Sequence, residues 1–341
     1  VGGSGTDGNY GVLVQSASIT TSGGGMIISG TGGNSASGGS QNGLAMLLGA
    51  SLSDSVAGDI VINGTGGSGT VNSKGVSFNN APASSVTTVN GNISITGIGG
   101  AGTGNFNRGM FVSSASSISS TGTGSVSLTG TGGTGPGSDN TGLLIADNAQ
   151  VNTMGMGAIS LNGTSGTSTS FGRGVVLFNG ASALASGGGI TITGNGLPTS
   201  TANDNWGVAV QTNSIVKDTG AGDITITGNG GSGTVNNIGV YIVGTSTVES
   251  NDGNVSINGT GGAGSGNLNT GVIVDAGGIV ESIGTGSLTI DGTGGNGIQD
   301  NNGIWVSDGT VSSTTGAINM IGNGNGSGNS NNGAFLMELR P

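Results

Sequence analysis

The sequence predicts an all-β fold, a right-handed parallel β-helix (a β-solenoid) of about eleven coils with three strands in each. Three features lead there. A unit of about 32 residues recurs along the chain, and each unit holds three short segments with apolar residues at alternate positions. Gly, Ser, Asn and Thr fill the turns between them.

Each unit opens on a glycine followed by apolar-x-apolar, at Gly11, Gly43, Gly75, Gly109, Gly142, Gly174, Gly207, Gly239, Gly271, Gly303 and Gly333, at intervals of 30 to 34 residues. Alternation turns two side chains of this first strand inward, from Val12 and Val14 in the first copy to Ala334 and Leu336 in the last. The second segment centres on one aliphatic residue, as at Ile19, Leu52, Val86, Ile118, Val151, Leu184, Val248 and Val311. The third reads apolar-x-apolar-x-Gly, clearest in Ile93-Ser94-Ile95-Thr96-Gly97, with inward pairs from Met26/Ile28 to Ile318/Met320. Short runs of period two bounded by Gly, Asn and Ser are strand signals. Glycine at this density would weaken a helix by about 1 kcal/mol per residue. Strands this short bury their apolar faces together when the chain winds and equivalent strands stack in parallel, about 4.8 Å apart. Eleven such coils make a rod on the order of 50 Å long. Two smaller coils per unit is the alternative, disfavoured because three strands do not divide into two similar turns.

Two further columns are regular. Asn stands two residues before the opening glycine at Asn9, Asn107, Asn140, Asn205, Asn237, Asn269, Asn301 and Asn331. Identical amides in register can bond to one another, so this column predicts an internal asparagine ladder; a ligand site along it is the other reading. The glycine closing the third strand, from Gly30 to Gly322, suits a corner with positive φ.

The outward positions differ between strands. On the third they are mostly Ser and Thr, whereas on the first they include Leu13, Phe111, Leu144, Val176, Tyr241, Ile273, Trp305 and Phe335. One face of the rod is therefore expected to carry an apolar stripe, a candidate surface for lateral association or for docking a partner or glycan. The alternative is that the long turn folds back over it.

Composition narrows the function. The 341 residues include 80 Gly, no Cys and no His, with a net charge of −11. The five cations, Lys74, Arg108, Arg173, Lys217 and Arg340, are spread along the chain, and no basic patch for nucleic acid is expected. No apolar run reaches the roughly 18–20 residues of a membrane span, so membrane insertion is not expected. A chain without cysteine fits secretion without disulfides. The run Gly2 to Asp7 matches the first part of a calcium-binding nonapeptide, but Val71 and Val235 stand where later copies would need the carboxylate. No phosphate-loop lysine motif occurs. The nearest approach to a catalytic cluster is Lys217, Glu249 and Glu281 on successive coils, with Asp218 and Asp252 nearby; an exposed ion pair is the simpler reading. Neither an enzymatic activity nor a cofactor or metal is expected.

The run Gly91-Asn92-Ile93-Ser94-Ile95-Thr96-Gly97 and its counterparts resemble large bacterial surface exoproteins of the filamentous-haemagglutinin and autotransporter-adhesin type. The resemblance covers nearly the whole chain and rests on strand and turn composition. It implies a solenoid stalk at the cell surface or outside the cell that carries adhesive function. Residues 1–341 are accordingly expected to form one continuous solenoid, a segment of a longer fibre, built to self-associate end to end or laterally and to meet a glycan or cell surface. A carbohydrate-binding or carbohydrate-cleaving β-helix is the alternative. An ice- or mineral-binding solenoid fits less well, because it needs a flat Thr-x-Thr array.

Overall fold

A computed structural model describes residues 1–196 and 203–337. Every regular element among them is a strand. The first coil comprises β1 (Val12–Gln15), β2 (Ser18–Thr21) and β3 (Met26–Thr31), and the same triplet recurs to β28 (Ile304–Ser307), β29 (Thr310–Ser313) and β30 (Ile318–Asn323). One further first strand, β31 (Ala334–Met337), follows. Equivalent strands pair in parallel into one 11-stranded sheet and two 10-stranded sheets, so one sequence unit makes one coil.

Register is fixed by what faces the interior. Ile93, Val126, Ile159, Ile190, Ile224, Val255 and Leu288 stack directly over one another in the third sheet. All are at most 1 % exposed. A slip of one residue would turn every one of them to solvent, and each such burial contributes about 1.5–3 kcal/mol. The first sheet is filled in the same way by pairs such as Leu44/Met46, Val76/Phe78 and Leu143/Ile145. At the two ends of the described rod this interior opens. Ile19, Ile318 and Leu336 occupy inward positions yet are exposed, while the partners of the first two, Leu52 and Leu288 one coil further in, are fully buried and that of Leu336, Val306, is half-buried.

Two sequence expectations change. Leu184 faces outward, and Ala183 takes the inward slot, in register with Val151 and Val216. The buried valines on both sides pin the strand, so the smaller residue goes in. The closing glycines, for their part, owe nothing to positive φ. A Cβ on Gly30, Gly97 or Gly228 would lie 2.1–2.2 Å from the carbonyl oxygen of the opening glycine of the next coil, so close backbone approach between the third and first sheets demands them. Positive φ falls instead on the residue just before the asparagine column. It occurs there in every copy, from Gly8 to Ser330, and includes Phe106 (φ 65), Phe171 (φ 58) and Leu268 (φ 61).

Candidate functional site: a charged, aromatic cleft on the first sheet

The asparagine column lies inside. From Asn205 to Asn331 each side-chain amide donates to the next: Asn205 Nδ2 to Asn237 Oδ1 at 2.9 Å, Asn237 to Asn269 at 2.7 Å, Asn269 to Asn301 at 2.9 Å and Asn301 to Asn331 at 3.0 Å. The same oxygens accept backbone N–H groups, as when Asn301 Oδ1 takes the Asn269 N–H at 3.1 Å. Asn140 Oδ1 accepts the backbone N–H of Asn107, while both side-chain amides donate to carbonyls of their own turns. Asn9, at the rod end, bonds only within its turn, to Gly5. This is an asparagine ladder whose amides satisfy the buried turn backbone.

A second polar column closes the corner between the second and third sheets, and sequence reasoning missed it. Asp54 accepts the Thr21 hydroxyl at 2.6 Å and the backbone N–H groups of Gly23, Gly25, Val56 and Gly58, so one carboxylate ties the turns of two coils. The Thr21 hydroxyl, helped by those amides, holds its carboxyl far below the ordinary carboxylate range. Asp218 does the same work for Gly187, Gly189, Gly220 and Gly222, and it is buried rather than part of the surface cluster expected around Lys217. Lys217 Nζ meets Glu249 Oε1 at 2.5 Å, with Glu281 in register on the next coil.

The apolar stripe is largely covered. Of its eight residues only Leu13 is exposed. Val176 and Ile273 are buried, whereas Phe111, Leu144, Tyr241, Trp305 and Phe335 are half-buried. The cover comes from the residue just before each opening glycine, which the turn folds back over the first sheet. Trp206 and Ile238 pack there with Val176, Ala209 and Ile273 in a second apolar cluster outside the sheet. The Trp206 ring lies 5.1 Å from that of Tyr241, and Trp305 lies 5.0 Å from Phe335. Burial raises the Tyr241 hydroxyl above its ordinary range, with Asp275 and Asp204 adding to the effect.

On coils three to six the covering residues are Lys74, Arg108, Thr141 and Arg173. Three of the five cations in the chain, expected to be scattered, thus gather on one face with four of its six phenylalanines. Lys74 Nζ and the Arg108 guanidinium stand 5.6 and 4.9 Å from the Phe111 ring centroid. Arg108 also packs on Phe106 and forms an ion pair with Asp139, whose other oxygen accepts the Thr141 hydroxyl at 2.7 Å. Lys74 donates to Asn72 at 3.0 Å. Burial, reinforced by the Arg108 charge, pushes its ammonium down to about 7 against the pull of Asp139.

Arg173 differs from both. Its guanidinium lies 4.5 Å from the Phe171 ring and 4.4 Å from the Trp206 ring. Among the described residues no hydrogen bond or ion pair reaches its side chain, and its buried Nε has no partner. Burial drives it below the ordinary guanidinium range, opposed by Asp139 and Asp204. Arg108, Asp139 and Arg173 border a cavity of about 370 Å³ that is also lined by Phe111, Leu144, Val176 and Phe178 and by Asp147 and Gln211. Such an arrangement, apolar walls with a few converging polar groups, is what small-molecule sites are built from. Comparison of the chain with protein-family models, with curated proteins and with solved structures finds no match.

One signal for the cleft is present in the sequence. Aligning the residue before each opening glycine gives Tyr10, Asn42, Lys74, Arg108, Thr141, Arg173, Trp206, Ile238, Thr270, Asn302 and Asn332. Three cations in one column within four successive coils, in a chain with five, mark the place.

Proposed function

We propose that this chain is a structural repeat segment of an extracellular bacterial fibre, filament or adhesin stalk, working as a rod that stacks end to end. The observation that supports this most is the unbroken register of ten complete coils in three parallel sheets, in which strands pair the same way at every step and so can be continued coil on coil. Lateral association along the first sheet has less support, since the stripe is mostly under its own turns. Negative-stain micrographs test the reading: fibres far longer than one rod, growing with protein concentration, are expected. Rods that stay single at every concentration would refute end-to-end stacking.

A second reading, that the rod also binds carbohydrate, is favoured by the cleft around Arg173. Apolar walls suit the C–H face of a sugar ring, and Asp147 and Gln211 in the lining suit its hydroxyls. Titrating the full chain with neutral and acidic sugars tests it.

A further inference from the structure

We propose that the cleft bordered by Arg108, Asp139 and Arg173 binds a carboxylate-bearing pyranose, a uronic-acid type of sugar residue, with Arg173 holding the carboxylate. This deepens the carbohydrate-binding reading and is independent of the rod-stacking one.

The argument starts from an anomaly. A buried charge is costly unless paired, and native chains pair theirs. Here Arg108 is paired with Asp139, whereas among the described residues no hydrogen bond or ion pair reaches the half-buried Arg173 side chain, which stacks on the rings of Phe171 and Trp206 with Asp139 and Asp204 near enough to favour its charge. Stacking on rings uses a guanidinium's face and leaves the N–H donors at its edge available, in the fork that suits a carboxylate. The Trp206 ring is itself held, its indole N–H donating to the Asn236 carbonyl at 3.1 Å. The group so positioned borders a cavity rather than packing into the core.

The surroundings select the ligand. Asp139 and Asp147 both line the cavity, so a doubly charged phosphate would meet repulsion that a single carboxylate meets far less. Phe111, Leu144, Val176 and Phe178 offer an apolar wall to a ring face. One Asp147 oxygen accepts the Asn179 amide at 2.8 Å, leaving the other for ligand hydroxyls. Gln211 also lines the cavity. A charged end, a flat apolar face and hydroxyls along the edge describe an acidic sugar better than a fatty acid or a simple anion.

Isothermal titration calorimetry of the full chain with glucuronate, glucose and acetate decides it. Glucuronate should bind one per chain, with glucose and acetate each at least about tenfold weaker, the loss expected for a charged hydrogen bond or a packed ring. Arg173→Met should weaken glucuronate by a similar factor while the melting temperature holds, because no hydrogen bond or ion pair among the described residues is lost and the buried, unpartnered Nε is removed. Asp147→Gly, an exposed change at a backbone position (φ 54) that glycine adopts without strain, should weaken glucuronate and leave acetate unchanged. Equal binding of glucose would keep the carbohydrate reading and overturn the carboxylate assignment. Equal binding of acetate would overturn the sugar assignment. Absence of binding by all three overturns both. Unfolding of Arg173→Met would overturn the inference too, since it would give the guanidinium a structural task.

Discussion

Asn107 and Arg108 are adjacent in sequence and belong to opposite regimes. Asn107 turns inward, is fully buried, and spends its side chain on turn backbone. Arg108 turns outward over the first sheet and packs on Phe106, Phe111 and Asp139. The inner column keeps asparagine in eight of eleven copies, whereas the outer one holds seven residue types in eleven positions. The inner position meets the same backbone on every coil and so has one good solution. The outer position lies over the first sheet against side chains that differ from coil to coil, so no single residue type is imposed there. What recurs in this chain therefore builds the rod, and what fails to recur is where a site can be placed.

The largest effect expected is on the inner column. Asn269→Ala strips Asn237 of its acceptor and Asn301 of its donor, and it uncovers the carbonyls of Gly264 and Gly266. At roughly 1–3 kcal/mol for each buried group left unpaired, it should cost several kcal/mol, read by urea unfolding and by hydrogen exchange in the flanking coils. Asn9→Ala, which breaks only a local turn, should cost less than about 1 kcal/mol. Equal losses from the two would dissolve the distinction between ladder and turn.

Next comes Asp54. Its carboxyl is held far below its unfolded value, so its contribution is complete above the unfolded pKa of about 3.9 and is lost as pH falls below that. Asp54→Asn should lower the melting temperature at pH 7 and shrink the loss of stability between pH 5 and 2. An unchanged acid limb would show that the corner carboxylate is not what acid attacks.

The outer column should give the opposite sign. Lys74 is pushed down to about 7 in the folded chain, below its unfolded value of about 10.4, so the unfolded state holds the proton between those limits and stability rises with pH across them. The gain is about 1.4 kcal/mol for each unit separating the two values. Lys74→Met should flatten this rise and stabilise the chain at pH 7 and below, measured as melting temperature against pH. A loss of stability on substitution would make the outer column structural after all. Smallest of all, Lys217→Ala breaks an ion pair on the second sheet and should change stability by less than about 1 kcal/mol, the usual range for such pairs.

The sequence carried the coil because alternation repeats: Ile93 and Ile95 read as inward long before Val126 and Leu128 were seen beneath them. Asparagine was legible for the same reason. The cleft was not, because looking for repeats rewards sameness and the cleft is made of departures from it. Lys74 and Arg173 are 99 positions apart and come together only through the stacking of coils on one face. Asp54 and Asp218 were hidden differently. The residue ending each second strand is Thr, Asp, Ser or Ala, which looks like turn composition until its inward parity and its backbone partners are known. Leu184 misled because an alanine beside it could fill the slot that its neighbours required.

The amide ladder has a direction. From Asn205 to Asn301 each side chain donates toward the next coil and none donates back. The dipoles add along this half of the rod and polarise one another, so the run from Asn205 to Asn331 is a vector with an accepting end and a donating end. The parallel strand edges are directional too, and two rods meeting end to end match them only when they point the same way. An assembly of this kind would be polar like a one-way track, with unlike ends that could grow at different rates, and a symmetric two-rod closure would set the two ladders against each other.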